Sequence, residues 1–219
     1  MTSPILQLLV LAGVAVFLIL RLRSVLGTRE GFEKPPVPRQ GPETARTRNF
    51  DVIEGGPDRD ITDHVPEGSD AAEALAAMKR VDKAFNVEEF LSGARGAYEM
   101  ILMSFERGDL AAIKPFLSSD VYESFAEVVT DREEKGLQIE AEFIGLRELA
   151  LNEATFNETT GEAEMTVRFT GQLTSVVRDN SGDIVEGKPG EIKTQRDSWT
   201  FARDMGSDDP NWQLVATGE

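Results

Sequence analysis

The stretch FNVEEFLSGARGAYEMILMSFERGD, residues Phe85–Asp109, predicts one long amphipathic helix. Asn86 is a favoured N-cap, Glu89 stands three residues later where a capping box places an acid, and Gly108 suits a left-handed C-cap. Apolar side chains recur along one helical face: Phe90, Leu91, Ala94, Ala97, Tyr98, Ile101, Leu102 and Phe105. A face this wide needs a cover, and the segments large enough to provide it come later in the chain.

Two glycines, Gly93 and Gly96, lie inside this predicted helix. Each costs roughly 1 kcal/mol of helix stability relative to alanine. We therefore expect another backbone to approach the helix closely at these positions.

Composition excludes several classes of protein. The 219 residues suffice for one domain with extensions, and the absence of cysteine excludes disulfides, thiolate catalysis and cysteine metal sites. The net charge is −16, and residues 1–50 carry seven Lys/Arg against three Asp/Glu, so the remainder is strongly acidic. Nucleic-acid binding is not expected, because phosphate neutralisation supplies most of that affinity.

The N-terminus carries an apolar run, Pro4–Leu20, in which Gln7 is the only polar side chain. Its length predicts a transmembrane anchor over residues 1–26. A cleaved signal peptide is the main alternative, but no basic residue precedes the run and no small-residue cleavage site follows it. A transit peptide and a buried core helix fit less well. Arginines follow the run and none precedes it, so the positive-inside rule places the C-terminal side in the cytoplasm.

Residues 27–69 contain six glycines and six prolines, which predicts a flexible linker. Asp58, Asp60, Asp63 and His64 lie near its end. They lack the glycine and the downstream glutamate of a calcium loop, so we interpret them as a solvated acidic stretch and expect no metal site.

Residues 70–219 read as one folded domain that begins with helices. The sequence predicts a helix over Asp70–Phe85, the central helix, and further helices over Asp109–Leu117 and Ser119–Lys135, ended by Gly136. The first carries a thin apolar stripe of Leu75, Met78 and Val81, and we expect it to pack on the domain.

The period then changes from 3.6 to 2, which predicts strands. Ala163, Met165, Val167, Phe169 and Leu173 alternate with polar residues. An earlier strand starts at Ile139 with a bulge near Gly145, and a turn lies within Asp179–Asp183. Trp199 and Phe201 share the next strand, and Trp212, Leu214 and Ala216 share one face of the last. The fold class is α+β, with helices covering one face of a curved antiparallel sheet.

Four stretches of this domain match a known family: FLSGARGAYEMILMSFERGDLAAIKPFLSSDVYESF (Phe90–Phe125), DREEKG (Asp131–Gly136), DSWTFARD (Asp197–Asp204) and DPNWQLVAT (Asp209–Thr217). In them the chain resembles the Tim-forty-four-like domain family, particularly its alphaproteobacterial TimA members. The resemblance implies a cone-shaped domain similar to nuclear transport factor two.

The resemblance also implies a function. It indicates a scaffold or adaptor at the bacterial inner membrane, not an enzyme, with a single span and a cytoplasmic domain. The protein partner stays open, with translocation and chaperone components as candidates. Lipid contact is implied for the helix before the domain in mitochondrial members.

Catalytic chemistry has few candidates in this domain. Proton transfer needs a positioned base and an oxyanion donor, yet the domain has no histidine and its only tyrosines are Tyr98 and Tyr122. We expect both tyrosines in the core with hydrogen-bonded hydroxyls. Asp197 has two interpretations, a buried acid beside Trp199 or, as we favour, a turn or edge carboxylate paired with Arg196 or Arg203. No catalytic residue, cofactor or metal is predicted.

The large aromatic residues leave two interpretations open. A candidate partner or ligand pocket comprises Tyr98, Phe169, Trp199, Phe201 and Trp212. Alternatively, these side chains simply pack against the central helix. The favoured function is a membrane-anchored adaptor, and the alternatives are a small-ligand-binding or isomerase-like pocket and a structural subunit of a larger complex.

Overall fold

A computed structural model describes residues 56–218. The predicted anchor over residues 1–26 and most of the predicted linker lie outside the described residues. Within the described part of the chain, no helix combines the length and apolarity needed to cross a membrane.

Helices come first along the chain and strands follow, as predicted. The helices are α1 (Arg59–Thr62), α2 (Asp70–Val81), α3 (Val87–Arg107) and α4 (Ser119–Glu134), with a 3₁₀ turn at Lys114–Phe116. The strands are β1 (Gln138–Phe156), β2 (Glu162–Arg178), β3 (Ile184–Glu186), β4 (Ile192–Asp204) and β5 (Gln213–Gly218). They form an antiparallel sheet of order β1-β2-β4-β5, with β3 paired to β2. The fold is thus a mixed α+β domain with a curved open sheet.

The central helix α3 has the predicted ends. The Asn86 side chain accepts a hydrogen bond of 2.8 Å from the Glu89 N–H, and Gly108 takes the left-handed conformation with φ 75°. Along the inner face, Tyr98 and Ile101 are fully buried. This face packs on the sheet, so the cover that the sequence required is the sheet itself.

The first predicted helix is confirmed as α2, which is four residues shorter than expected. Ser69 caps it by accepting from the Ala72 N–H, and the helix ends at Val81. Leu75 and Met78 are fully buried, whereas Val81 is 53% exposed. The helix packs against β1, as expected for a helix that belongs to the domain.

The predicted helix Asp109–Leu117 is wrong. This stretch forms turns and the short 3₁₀ turn Lys114–Phe116. Pro115 lacks a backbone N–H and disfavours helical geometry in the residue before it, which limits the helix to one tight turn. Phe116 is thereby placed beside α3, at one end of the groove described below.

The strands follow the predicted alternation where pairing is regular. In β2, Ala163, Met165, Val167 and Phe169 are fully buried. The predicted bulge is confirmed by a register shift between Phe143 and Gly145, and two more shifts follow along β1. Bulges bend a strand and increase its twist, which helps this 19-residue strand to curve beneath the helices.

The last strand departs from the prediction at two residues, since Trp212 lies just before β5 and Ala216 does not share the face of Leu214. Leu214 is fully buried, but Ala216 is exposed. The pairing of β4 with β5 shifts register between Thr200 and Phe201, so Leu214 pairs with Phe201 while Ala216 pairs with Thr200. The extra residue moves Ala216 to the outer face of the sheet.

Candidate docking groove on the central helix

Three of the five predicted pocket residues form a filled core beneath the middle of α3. The Tyr98 ring stacks on Phe169 with centroids 4.4 Å apart and planes at 13°, and Trp199 lies 4.8 Å from Tyr98. All three side chains are buried, with Trp199 the most exposed at 4%. The structure therefore brings Tyr98, Phe169 and Trp199 together as packing partners.

The carboxylate of Asp197 is hydrogen-bonded to this core. The Tyr98 hydroxyl donates to Asp197 Oδ2 at 2.5 Å, and the Gln195 amide donates to Asp197 Oδ1 at 2.9 Å. Burial raises the pKa of Tyr98, and the hydrogen bond to the Asp197 carboxylate raises it further. The predicted pairing of Asp197 with an arginine is wrong, because both of its oxygens face these neutral donors. The predicted buried role of Tyr98 with a hydrogen-bonded hydroxyl is confirmed.

Gly171 on β2 makes room for the tyrosine. A Cβ atom at this position would lie 2.8 Å from the Tyr98 hydroxyl oxygen. A glycine in a strand interior is often a sign of such a close approach. The position is opposite Gln195 on β4, so the glycine also lies beside the Asp197 hydrogen-bond network.

The other two predicted pocket residues, Phe201 and Trp212, line a groove on the flank of α3. The groove has a volume of about 660 Å³ and is mostly apolar. Its walls come from α3, the segment before it, the 3₁₀ turn, β4 and the loop before β5. Among the lining residues are Phe85, Phe90, Gly93, Gly96, Ala97, Met100, Phe116, Phe201 and Trp212. A cavity of this size and character is in the range of protein binding sites.

The two helix glycines form the open floor of the groove. A Cβ atom added to either Gly93 or Gly96 would meet no heavy atom of residues 56–218 within 4 Å. The expected close approach of another backbone is therefore wrong for the described chain, because α3 contacts the sheet through a different face. Both glycines fall outside the apolar stripe of the helix, a signal from which their exposure could have been predicted.

Aromatic contacts hold one wall in place. The Trp212 ring lies 4.8 Å from Phe90 and 6.0 Å from Phe85, measured between centroids. Phe90 also meets Phe201 edge-on at 5.9 Å. Phe85 and Phe90 flank the N-cap of α3 in the positions of a hydrophobic staple, so the element that starts the helix also positions the tryptophan.

Among the residues that the structure describes, three charged side chains line the groove. Arg203 and Asp82 form an ion pair of 3.1 Å, with side-chain exposures of 11% and 20%. Glu89, in the first turn of α3, is exposed and lines the same groove. Since the first two charges compensate each other, the groove presents a net negative charge from Glu89.

A charged cluster joins the start of the described chain to α3. Asp60 accepts hydrogen bonds from the Val87 and Glu88 N–H groups at 2.8 and 3.1 Å, and Lys79 bridges Asp60 and Asp58 at 2.7 Å each. Burial by itself would raise the pKa of Asp60, but the hydrogen bonds from Lys79 and the two N–H groups outweigh it and lower the pKa.

This cluster corrects the expectation of a solvated acidic stretch. Asp60 supplies an N-terminal cap to α3 from a distant part of the chain, and Ile61 and Val65 are buried. The C-terminal end of the predicted linker is thus ordered against the domain. No group of acidic, histidine or cysteine side chains suited to a metal ion occurs within residues 56–218.

A second, more polar cleft of about 580 Å³ lies at the C-terminal end of α3. Glu106, Lys193, Gln195 and Ser175 are among its lining residues. Burial raises the pKa of Glu106, and the nearby positive charges of Arg132 and Lys193 only partly oppose this effect. No sequence signal separated Glu106 from the other charged residues of α3.

Helices laid on a curved antiparallel sheet, with an apolar groove on the flank of the longest helix, define the class of this domain as mixed α+β. The chain belongs to the Tim44-like domain family, whose model matches residues 71–219. The resemblance stated from the sequence is thereby confirmed.

Individual relatives are distant. Human mitochondrial import inner membrane translocase subunit TIM44 is 25% identical over 150 residues, covering 67% of this chain and 33% of the human protein. Subunit TIM44-1 of Arabidopsis thaliana is 21% identical over 163 residues, covering 71% of this chain and 34% of that protein. The chain spans about a third of the length of these relatives. The intermembrane space region of chloroplast ARC6 aligns with a TM-score of 0.39 at 8% identity, over 66% of this chain and 94% of that one.

Proposed function

We propose that this protein is a membrane-anchored adaptor or scaffold whose Tim44-like domain binds protein partners through the groove on α3. The observation that carries the proposal is the groove itself. It is apolar, about 660 Å³ in volume, and floored by two glycines that the fold leaves open. Exposed apolar concavities of this kind mark interaction sites on soluble domains.

Membrane anchoring rests on the sequence. The run Pro4–Leu20 has the length and apolarity of a span. From the arginines after it and the resemblance to bacterial members of the family, we propose that the domain faces the cytoplasm of a bacterial cell. The relatives are named as subunits of a mitochondrial inner-membrane translocase, which supports a role in protein translocation or membrane-protein handling. The helix-on-sheet architecture supports the cone-shaped class similar to nuclear transport factor two.

Tethering would determine how such a groove works. A chain held at the membrane by a flexible segment meets other membrane proteins at an effective concentration of up to about 1 mM. A groove with modest intrinsic affinity is then sufficient, and no covalent chemistry is needed. The proposal therefore assigns no catalytic residue and no cofactor.

The test is cross-linking in intact cells, followed by affinity capture from solubilised membranes and mass spectrometry. The matched control lacks residues 1–55, which keeps Asp58, Asp60 and the complete described domain. We expect a small set of membrane proteins to be enriched with the full chain and lost with the control. A capture that contains no specific protein, from bait shown to be folded, contradicts the adaptor function.

A second candidate function is favoured by the polar cleft at Glu106. Its volume of about 580 Å³ suits a metabolite, and Glu106 and Lys193 are groups that could bind one. This is the small-ligand-binding or isomerase-like alternative. Incubation with a metabolite pool and native mass spectrometry tests it, with Glu106→Gln as the variant: a bound compound that is lost in the variant supports this function, and unliganded protein throughout argues against it.

A further inference from the structure

We infer that the occupant of the groove is an α-helix of a protein partner, which packs its backbone against Gly93 and Gly96 and places a basic side chain beside Glu89. This inference rests on the function proposed above and specifies the partner's chemistry. It follows from three properties of the groove: the open glycines, the kind of surface that forms its walls, and the absence of an ion-pair partner for Glu89 within residues 56–218.

The first property is the room above the helix backbone. Gly93 and Gly96 are three residues apart on α3, and each has open space where a Cβ would stand. Ala97 lines the same groove. Small residues let two helices approach closely, whereas a glycine inside an isolated helix lowers its stability. A close helix partner would offset that cost by packing against the exposed backbone.

The second property, the kind of surface that forms the walls, favours a helix over an extended peptide as the occupant. Extended peptides bind to the open edge of a sheet, where unpaired N–H and C=O groups hydrogen-bond to them. The long wall of this groove is the flank of α3, whose backbone groups are already paired within the helix. An extended segment lying along it would leave its own backbone polar groups unsatisfied in apolar surroundings, while a helix satisfies its own.

The third property is charge. Asp82 and Arg203 compensate each other, so Glu89 is the lining charge that a partner would meet. The chain from residue 51 onward is strongly acidic, with 16 Lys/Arg against 36 Asp/Glu. A basic residue on the partner helix is complementary to Glu89 and to the overall negative charge of the domain. Complementary charges of this kind guide the encounter and orientation of the two proteins.

The length of the groove sets the size of the contact. From Glu89 to Met100 is 11 residues of helix, or about 17 Å. A partner helix of about three turns covers this distance and presents apolar side chains at positions i, i+3, i+4 and i+7. Met100, which is 37% exposed, and Trp212 are the large side chains available to meet them.

Because the chain has no cysteine, an introduced cysteine can be labelled at one chosen position. Labels at two positions then measure the spacing of the contacts along the partner's sequence. We would use the full chain in native membranes with Ser92→Cys or Met100→Cys, each carrying a short diazirine cross-linker. Both residues line the groove and lie eight residues apart, about 12 Å along α3. Arg95→Cys is the matched control, since Arg95 is exposed on the same helix but does not line the groove.

A helical partner predicts adducts whose centres are about eight residues apart in its sequence, whereas an extended segment predicts about four. We expect the helical spacing from the two groove positions, no adduct of that partner from Arg95→Cys, and at least a threefold loss of adduct when Glu89→Lys is added. Glu89→Gln should give an intermediate loss.

The possible failures are distinguishable. Protein adducts with a spacing near four, or adducts that are insensitive to Glu89→Lys, overturn the helix inference and leave groove docking intact. Adducts to lipid alone, or none to any protein from either groove position, overturn both the inference and the proposed function. Adducts of the same partner in equal yield from Arg95→Cys also contradict the helix inference, because the partner's contact would then not be confined to the groove.

Discussion

The two sides of α3 differ in how completely they are packed. On the inner side, Tyr98 stacks on Phe169 of β2, is fully buried and is hydrogen-bonded to Asp197. On the flank, less than two turns away, Gly93 and Gly96 face open space and Trp212 is only half-buried. The same helix thus contributes to a filled core and to an unfilled groove. Stability should depend on the first and partner binding on the second.

The largest expected difference between the two sides concerns their tryptophans. Trp199→Ala should lower the free energy of unfolding by roughly 3–5 kcal/mol, because it leaves a cavity in the core. Trp212→Ala should cost about 1–2 kcal/mol, since the side chain is already half-exposed, yet it should reduce partner capture strongly. Urea unfolding of both variants, with capture measured in parallel, checks the contrast. Equal destabilisation by the two variants would mean that Trp212 packs as a core residue and not as the wall of an open groove.

The next effect is the loss of the buried hydroxyl. Tyr98→Phe should destabilise the domain by roughly 1–3 kcal/mol, because it removes a hydrogen bond to Asp197 and leaves one carboxylate oxygen without its donor. Partner capture should not change. Thermal unfolding gives the stability, and Trp199→Phe serves as a packing control that keeps this hydrogen bond. A Tyr98→Phe variant as stable as the wild type would show that the hydrogen bond contributes nothing net.

A smaller effect is expected at the cap of α3. Asp60→Asn should cost about 1–2 kcal/mol near pH 7, since it weakens the acceptor for the Val87 and Glu88 N–H groups and removes the charge facing Lys79.

This effect should depend on pH with a definite sign. The pKa of Asp60 in the folded domain lies below its ordinary value of 3.8, so its contribution is complete above that value. It is lost as pH falls through the folded-state pKa. The difference between wild type and Asp60→Asn should therefore be constant from pH 7 to about 5 and shrink below about 4. A difference that grew on acidification would contradict the assigned hydrogen bonds.

The smallest expected change in the free energy of unfolding has opposite signs at two glycine positions. Gly96→Ala should raise the free energy of unfolding by roughly 0.5–1 kcal/mol, because the helix gains propensity and the new Cβ meets nothing. Gly171→Ala should lower it, because its Cβ would lie 2.8 Å from the Tyr98 hydroxyl. Differential scanning calorimetry of the pair would resolve these changes. A destabilised Gly96→Ala would mean that the groove floor is already covered.

Much of the fold could be predicted from local signals. The caps at Asn86 and Gly108 fix the ends of α3, the change of period marks the sheet, and the slip in phase near Gly145 marks the first bulge. These features depend on neighbouring residues. The prediction of a helix over Asp109–Leu117 is wrong because Pro115 restricts this stretch to a short 3₁₀ turn.

The site was harder to predict because it depends on contacts between distant residues. Asp60 caps a helix that begins 27 residues later, and Tyr98 meets Asp197 99 residues away. No local pattern reveals such pairs. The five aromatic residues proposed for a pocket were divided by the fold, three into the core and two into the groove wall. The position of Gly93 and Gly96 outside the apolar stripe predicts their exposure, but the groove beside them is formed with Phe201 and Trp212 from distant parts of the chain.

The central claim is that the open flank of α3 is a docking surface for a protein partner. The most direct measurement is partner capture from cross-linked cells by full-length Gly96→Leu, compared with Arg95→Leu on the same helix. The leucine at position 96 should extend into the groove, because its Cβ would meet no described heavy atom within 4 Å. We predict an unfolding temperature at or above that of the wild type, capture lost with Gly96→Leu, and capture kept with Arg95→Leu. Undiminished capture by a stable Gly96→Leu protein would contradict the claim.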